Sequence, residues 1–313
     1  MQYNYFITMI SSFTISTITI PLFGRIAYKT GIVDKPDGDL KPHERITPYL
    51  GGLPIFLAVI ITTEFDIISK ICLTILTLTG LYDDVRNLNP KIRLLIEFVV
   101  STLLVFKYLG LSIFLPFYVL VIVALINATN MMDGLDGVCA SVSLLSAIGL
   151  TVVATSKYDG TLLIALIGAL LGYLIYNYPP ARIFMGDAGS YFIGGVLSIG
   201  LLSAFREGTN NFPRTVSALI LVSIFFFDLS SGIFRRLLNG RSPFSGDRGH
   251  VYDKIFNVVN DKRKTLWIMI FIQCFVLLVG LIVRINIYMM ISGVGVILIL
   301  YAFLSKWLNI LKY

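Results

Sequence analysis

Apolar positions along this chain fall in long blocks separated by short polar segments, not in the alternating or strictly 3.6-spaced patterns of soluble strands and helices. A helix that crosses a bilayer needs about 20 apolar residues, with a range of roughly 17–25. On that measure eleven runs qualify, at 4–23, 50–65, 67–82, 91–108, 112–127, 138–156, 161–178, 189–205, 215–234, 265–284 and 286–305. The second and third are short and meet at a tight turn near Asp66. The pattern predicts an all-α, polytopic membrane protein of about 11 transmembrane helices, with residues 1–313 forming a single integral-membrane domain. No internal repeat and no separate soluble domain is visible.

Composition agrees. The chain is 56% hydrophobic and 14% charged, against about 25% charged residues in soluble domains. The first run lacks a basic leader and a small-residue cleavage site, so it reads as a retained helix. Cys72, Cys139 and Cys274 all lie in apolar runs and imply no disulfide framework. The net charge of +7 does not point to nucleic acid, because the basic residues fall in short loops. Cytoplasmic loops of membrane proteins collect Lys and Arg. With the N-terminus outside, 19 of the 25 Lys and Arg residues fall on the cytoplasmic side. That bias predicts a cytoplasmic C-terminus and residence in the cell (inner) membrane.

The same orientation puts every chemistry-bearing cluster on the cytoplasmic face. A charged side chain at membrane depth costs about 2.5–3.5 kcal/mol on insertion scales, so acids at span ends suggest function. The stretch NATNMMDGLDG, Asn127 to Gly137, holds Asn130, Asp133 and Asp136 at intervals of three, which a helix would place along one face. Hard oxygen donors at this density suit Mg²⁺; the alternative is a turn stabilised by Asx side chains. Asp83 and Asp84 end the third run in LYDDVRNLNPKIRLL. Neighbouring carboxylates need a cation, which Arg93 and Mg²⁺ together would supply; otherwise they are a solvated helix end. Asn89-Pro90 reads as the cap and first residue of the next helix. Asp187, in PPARIFMGDAGSYFIGG, begins the eighth run, where free backbone N–H groups would receive phosphate. Alternatively it is a helix cap. Phe184 would stack on a flat ring or anchor at the interface. The last polar loop, RRLLNGRSPFSGDRGHVYDK, carries Arg241, Arg248 and His250, a set suited to phosphate. Arg235 and Arg236 read as ordinary loop charges, and Asp228 as a partner for Arg235. His43, in KPHERITPYLGG, is the second of two histidines and lies on the same face.

Taken in order, PHERITPYLGGLPIF, LYDDVRNLNPKIRLL, NATNMMDGLDG, IFMGDAGSYFIGG and GRSPFSGDRGH resemble the blocks of the polyprenyl-phosphate N-acetylhexosamine-1-phosphate transferases. That group includes undecaprenyl-phosphate GlcNAc-1-phosphate transferases and phospho-MurNAc-pentapeptide transferases. The last block and the count of eleven runs are more similar to the GlcNAc branch. The resemblance implies transfer of a sugar-1-phosphate from a UDP-sugar to a polyprenyl phosphate, with release of UMP, a Mg²⁺ cofactor (Mn²⁺ as a substitute), and room for a homodimer. It implies that Asp187 binds Mg²⁺ with Asn130 as second ligand. Asp83 and Asp84 would position or deprotonate the lipid phosphate, with Asp133 beside them. Phe184 would stack on uracil, with Asp136 near the uridine, and Arg241, Arg248 and His250 would face the diphosphate and sugar, with Arg93 and His43 in support. The family commonly continues the last block with two more histidines; here Val251, Tyr252, Asp253 and Lys254 follow His250, leaving the N-acetyl sugar open. A polytopic transporter is the competing reading, although transporters place their acids near the midplane.

Overall fold

The computed structural model describes residues 4–34, 46–206, 211–243 and 245–312. Among them are thirteen helices and one short strand pair. The helices are α1 (Tyr5–Thr30), α2 (Gly52–Thr62), α3 (Ile67–Arg86), α4 (Pro90–Leu109), α5 (Leu115–Met131), α6 (Val138–Val153), α7 (Lys157–Asn177), α8 (Gly186–Phe205), α9 (Phe212–Leu221), α10 (Ser223–Leu238), α11 (Val251–Val259), α12 (Lys262–Val283) and α13 (Ile287–Trp307). Strands β1 (Val33–Asp34) and β2 (Thr47–Pro48) pair antiparallel.

Every apolar run read from the sequence is helical, and the boundaries differ for local reasons. Helix α1 passes its expected end and continues through Arg25 and Lys29 until Gly31, at φ 75°, turns the chain. Asp66 is the cap of α3, accepting the Ser69 N–H at 2.9 Å. Asn89 accepts the Lys91 N–H at 2.9 Å and Pro90 opens α4, as the Asn-Pro pair predicts. The ninth run is two helices, bent by 61° at Val222. The Leu221 carbonyl left free there accepts from Ser146 Oγ at 2.9 Å and Gln273 Nε2 at 3.0 Å. Five helices (α1, α7, α8, α12 and α13) are long and apolar enough to cross a membrane alone, and the bent α9–α10 pair makes a sixth.

Helix α8 is the axis of the bundle. Every residue in it except Asp187 is buried, and α2 through α7 and α9 pack around it. Close packing requires small residues where backbones meet, as in other membrane bundles. A Cβ on Gly80 of α3 would lie 2.3 Å from the Asp187 carbonyl. Helices α1 and α7 use hydroxyls as well: Ser12 and Ser16 donate to the carbonyls of Ala165 and Ala169 at 2.7 and 2.9 Å. The polar end of this axis, where Asp187 begins α8, is where the loops converge.

Candidate active site

The site grows from the chain reversal before α8. Gly186 has φ 71°, and a Cβ there would lie 2.6 Å from Asp84 Oδ2 and 2.7 Å from the Tyr49 carbonyl. Only glycine fits that turn without strain. The segment before it is pinned by backbone hydrogen bonds: Phe184 N–H donates to the Pro48 carbonyl at 2.8 Å, and the N–H groups of Gly51 and Gly52 donate to the carbonyls of Phe184 and Met185 at 2.9 Å. Phe184 and Tyr49 then meet edge-on, ring centres 5.9 Å apart.

The free N–H groups at the start of α8 are met by Asp84. Its two oxygens accept from the backbone N–H of Asp187 at 2.9 Å and of Ala188 at 3.2 Å. The cap of α8 is thus a carboxylate from α3, which frees the Asp187 side chain to point at α5, where it accepts from Asn130 Nδ2 at 2.6 Å. Asn130 also donates to Ser190 Oγ at 3.0 Å. Asp83 accepts the Leu88 N–H at 2.7 Å and pairs with Arg93 at 3.2 Å. The guanidinium of Arg93 also lies 3.9 Å from the buried Glu97 and 5.8 Å from the Tyr191 ring centre.

Asn130, Asp133 and Asp136 do not share a helix face. Helix α5 stops at Met131 and residues 132–137 form a turn, so helical spacing is not what unites them. They meet because the turn wraps the mouth of a cavity of about 330 Å³. Asn130, Asp133, Asp136, Phe184, Arg248 and His250 line it, with Asp34, Tyr49, Asn177, Tyr252 and Lys262, which sequence reasoning did not single out. Burial holds the Asp133 carboxyl well above the usual range, and the carboxylates of Asp187, Asp84 and Asp136 push it further. Asp136 also fastens the loop before α8, accepting the Ala181 N–H at 3.1 Å and Lys262 Nζ at 3.2 Å.

A further part of the lining comes from the last polar loop. Two expectations there are corrected. Asp228 does not pair with Arg235; it accepts His250 Nδ1–H and the Val251 N–H, both at 2.7 Å. Arg235 is not a solvated loop charge. It is fully buried, paired with Asp247 at 2.5 Å and donating to the Ile310 carbonyl at 2.6 Å. A charge in such a place needs a partner at short range, and Asp247, thirteen positions from the apolar run's end, gave no sequence signal of being that partner. Arg241 is exposed and away from the cavity-lining set, and His43 lies outside the described residues. The sequence also gave no sign of α11, because its nine residues are too few to stand out from a polar loop.

The profile of glycosyl transferase family 4 matches residues 67–204, from α3 to the end of α8. The chain is 33% identical to the probable undecaprenyl-phosphate N-acetylglucosaminyl 1-phosphate transferase of Bacillus subtilis, covering 80% of this chain and 77% of that one. The chain belongs to glycosyl transferase family 4. This family 4 chain is also 30% identical to the undecaprenyl-phosphate alpha-N-acetylglucosaminyl 1-phosphate transferase of Thermotoga maritima, over 87% of both chains. It is 31% identical to the Escherichia coli K12 protein of that name, over 79% of this chain and 75% of the other. The family 4 profile includes the cavity-lining Asn130, Asp133 and Asp136 as well as Asp187, and the longer alignments span most of each relative's length. It is a sugar-phosphate transferase of the membrane.

Proposed function

We propose that this protein transfers an N-acetylhexosamine-1-phosphate, most simply GlcNAc-1-phosphate, from a UDP-sugar to undecaprenyl phosphate. A phosphate oxygen of the lipid attacks the phosphorus that carries the sugar. A new P–O bond forms, the P–O bond to the uridylyl group breaks, and UMP leaves with the electron pair. The observation that carries the reading is a cavity lined by Asn130, Asp133 and Asp136 together with Arg248 and His250, with Asp187 bonded to the lining Asn130 and Asp84 capping the same helix start. Asp83, Asp84 and Asp187 adjoin the cavity lining without belonging to it.

The donor set fits Mg²⁺. Asp187 and Asn130 are adjoining oxygen-bearing side chains, with Asn130's amide able to present its oxygen by turning over. Their acidic surroundings are only partly neutralised, since Arg93 is paired with Asp83 and Lys262 with Asp136. Among the described residues no three His, Cys, Asp or Glu side chains form a closed cage. That also suits Mg²⁺, which binds through one or two carboxylates plus substrate phosphates and keeps waters. When bound there, Mg²⁺, or Mn²⁺ in its place, would offset the charge on the diphosphate. The protein's own groups do the rest. Phe184 and Tyr49 offer a flat apolar edge for the uracil, and Asp136 borders it. Arg248 and His250 face the phosphates. Asp84 holds the α8 turn, and Asp83 keeps Arg93 near the path of the lipid phosphate.

Placement follows from the charge bias: eleven spans with α9–α10 as one, N-terminus outside, cavity and C-terminus facing the cytoplasm of the cell membrane. The measurement is UMP release from membranes given undecaprenyl phosphate, UDP-GlcNAc and Mg²⁺. Release should require all three and fall at least about 100-fold in Asp187→Ala. Release with a different UDP-N-acetyl sugar alone would change the sugar and keep the reaction. Silence with every UDP-sugar, from protein shown to be folded, would overturn it.

A further inference from the structure

The carboxylate of Asp228 is nearly inaccessible, in the middle of α10, and it spends both oxygens on the start of α11. One accepts the Val251 N–H and the other accepts Nδ1–H of His250, each at 2.7 Å. A carboxylate can only accept, so the proton of that bond belongs to the imidazole. With Nδ1 engaged on the buried side, Nε2 is the nitrogen left for the cavity that His250 lines. The ring plane is fixed as well. It stacks on Tyr252 with 9° between planes and 5.6 Å between centres, and Tyr252 is itself tied by its hydroxyl to the Met131 carbonyl at 3.0 Å. Gly134 leaves room for that hydroxyl: a Cβ there would overlap it at 2.0 Å. The imidazole is therefore held from α10 on one side and from the acidic turn on the other.

We propose that Asp228 is a positioning residue for the transfer reaction, acting through His250. It orients the imidazole so that Nε2–H donates to a phosphate oxygen of the nucleotide sugar. This rests on the transferase reading above and adds to it a residue that touches no substrate. Three carboxylates face the ring: Asp228 from α10, Asp253 from α11 and Asp247 from the preceding loop. The charges next to them are Arg248, paired with Asp253 at 3.8 Å, and Arg235 and Arg236, both paired with Asp247. Burial alone would lower the affinity of His250 for its proton, but Asp228, then Asp253 and Asp247, more than offset it and leave the pKa raised. The protonated donor is thus kept to higher pH than for an ordinary histidine. Removing the charge of Asp228 moves that limit toward acid.

The test is a double-mutant cycle on UMP release, with wild type as the reference that reports on the reaction itself. Asp228→Asn should lower kcat about 10-fold or more, with KM for the UDP-sugar changed by less than about 3-fold. Its alkaline limb should move to lower pH. In a His250→Ala background the same substitution should cost less than about 2-fold, because its route of action is gone. An equal loss in both backgrounds would overturn the proposal and leave Asp228 a helix cap only. So would full activity in Asp228→Asn. A wild type that releases no UMP would sink the transferase reading instead. Nitrogen NMR of labelled histidine gives a readout independent of turnover, since the chain has only two histidines. The His250 signal should show Nδ1 protonated in wild type, and its titration should fall by about one pH unit or more in Asp228→Asn. An unchanged titration would also count against the proposal.

Discussion

Gly186 is the residue on which the geometry turns, and its substitution separates strain from function. Alanine at φ 71° costs about 1–2 kcal/mol for its left-handed backbone alone, and its Cβ would press on Asp84 and the Tyr49 carbonyl. Gly31 has φ 75° too, but a Cβ there meets nothing within 4 Å, and Gly31 is not among the residues that line the cavity. Both alanine variants should lose a few degrees of melting temperature. Only Gly186→Ala should also lose about 10-fold or more of UMP release, since small misplacements at a reacting centre are costly. Equal activity in the two variants would mean that the α8 turn does not set the site. The residues themselves were largely legible beforehand. Asp83, Asp84, Asn130, Asp133, Asp136, Asp187, Phe184, Arg248 and His250 stand out because polar groups are rare in so apolar a chain. Their partners were not legible. Asp84 capping α8 and Asp228 holding His250 are contacts between helices distant in sequence, and no spacing rule connects them.

At the scale of elements, hydrophobicity found every helix except α11, but not how each is kept whole. The apolar run 215–234 reads as one span, and nothing in it announces a break, since neither Gly nor Pro stands near Val222. The break is stabilised from elsewhere, by Ser146 of α6 and Gln273 of α12 on the Leu221 carbonyl. Gln273 also donates to Ser146 Oγ at 2.9 Å, while its own Oε1 is buried without a partner. Gln273→Leu therefore removes an unpaired acceptor along with two bonds and should cost under about 1 kcal/mol. Ser146→Ala leaves Gln273 on the carbonyl and should be similarly mild. The double variant strips Leu221 of both donors and should cost about 1–3 kcal/mol more than the sum, the penalty of a bare buried carbonyl. Thermal unfolding in detergent measures this. Strict additivity would mean that the two donors do not share the task of closing the break.

The whole molecule has two unlike ends, and that difference predicts how it lies in the membrane. One end gathers the Asp133 turn, the Phe184 segment, the loop of Arg248 and the start of α12 around the acidic cavity. The other gathers the α2–α3 turn at Glu64–Asp66, the end of α4 at Lys107, the α6–α7 turn at Ser156 and the end of α8 at Arg206. Helices α2, α7 and α8 each run from one of these ends to the other. The excess of Lys and Arg belongs to the cavity end, and such an excess marks the cytoplasmic side. Cysteine labelling tests it in a chain whose three native cysteines are replaced by serine. Lys157 is exposed at the far end and Gly246 at the cavity end, where an added side chain meets nothing within 4 Å. In intact cells a membrane-impermeant maleimide should label Lys157→Cys. Gly246→Cys should be labelled only after permeabilisation. The opposite result would put the cavity outside, away from any cytosolic nucleotide sugar. Because the donor substrate must reach Arg248 and His250 from water on that side, the reversed outcome would count against the proposed reaction as well as the topology.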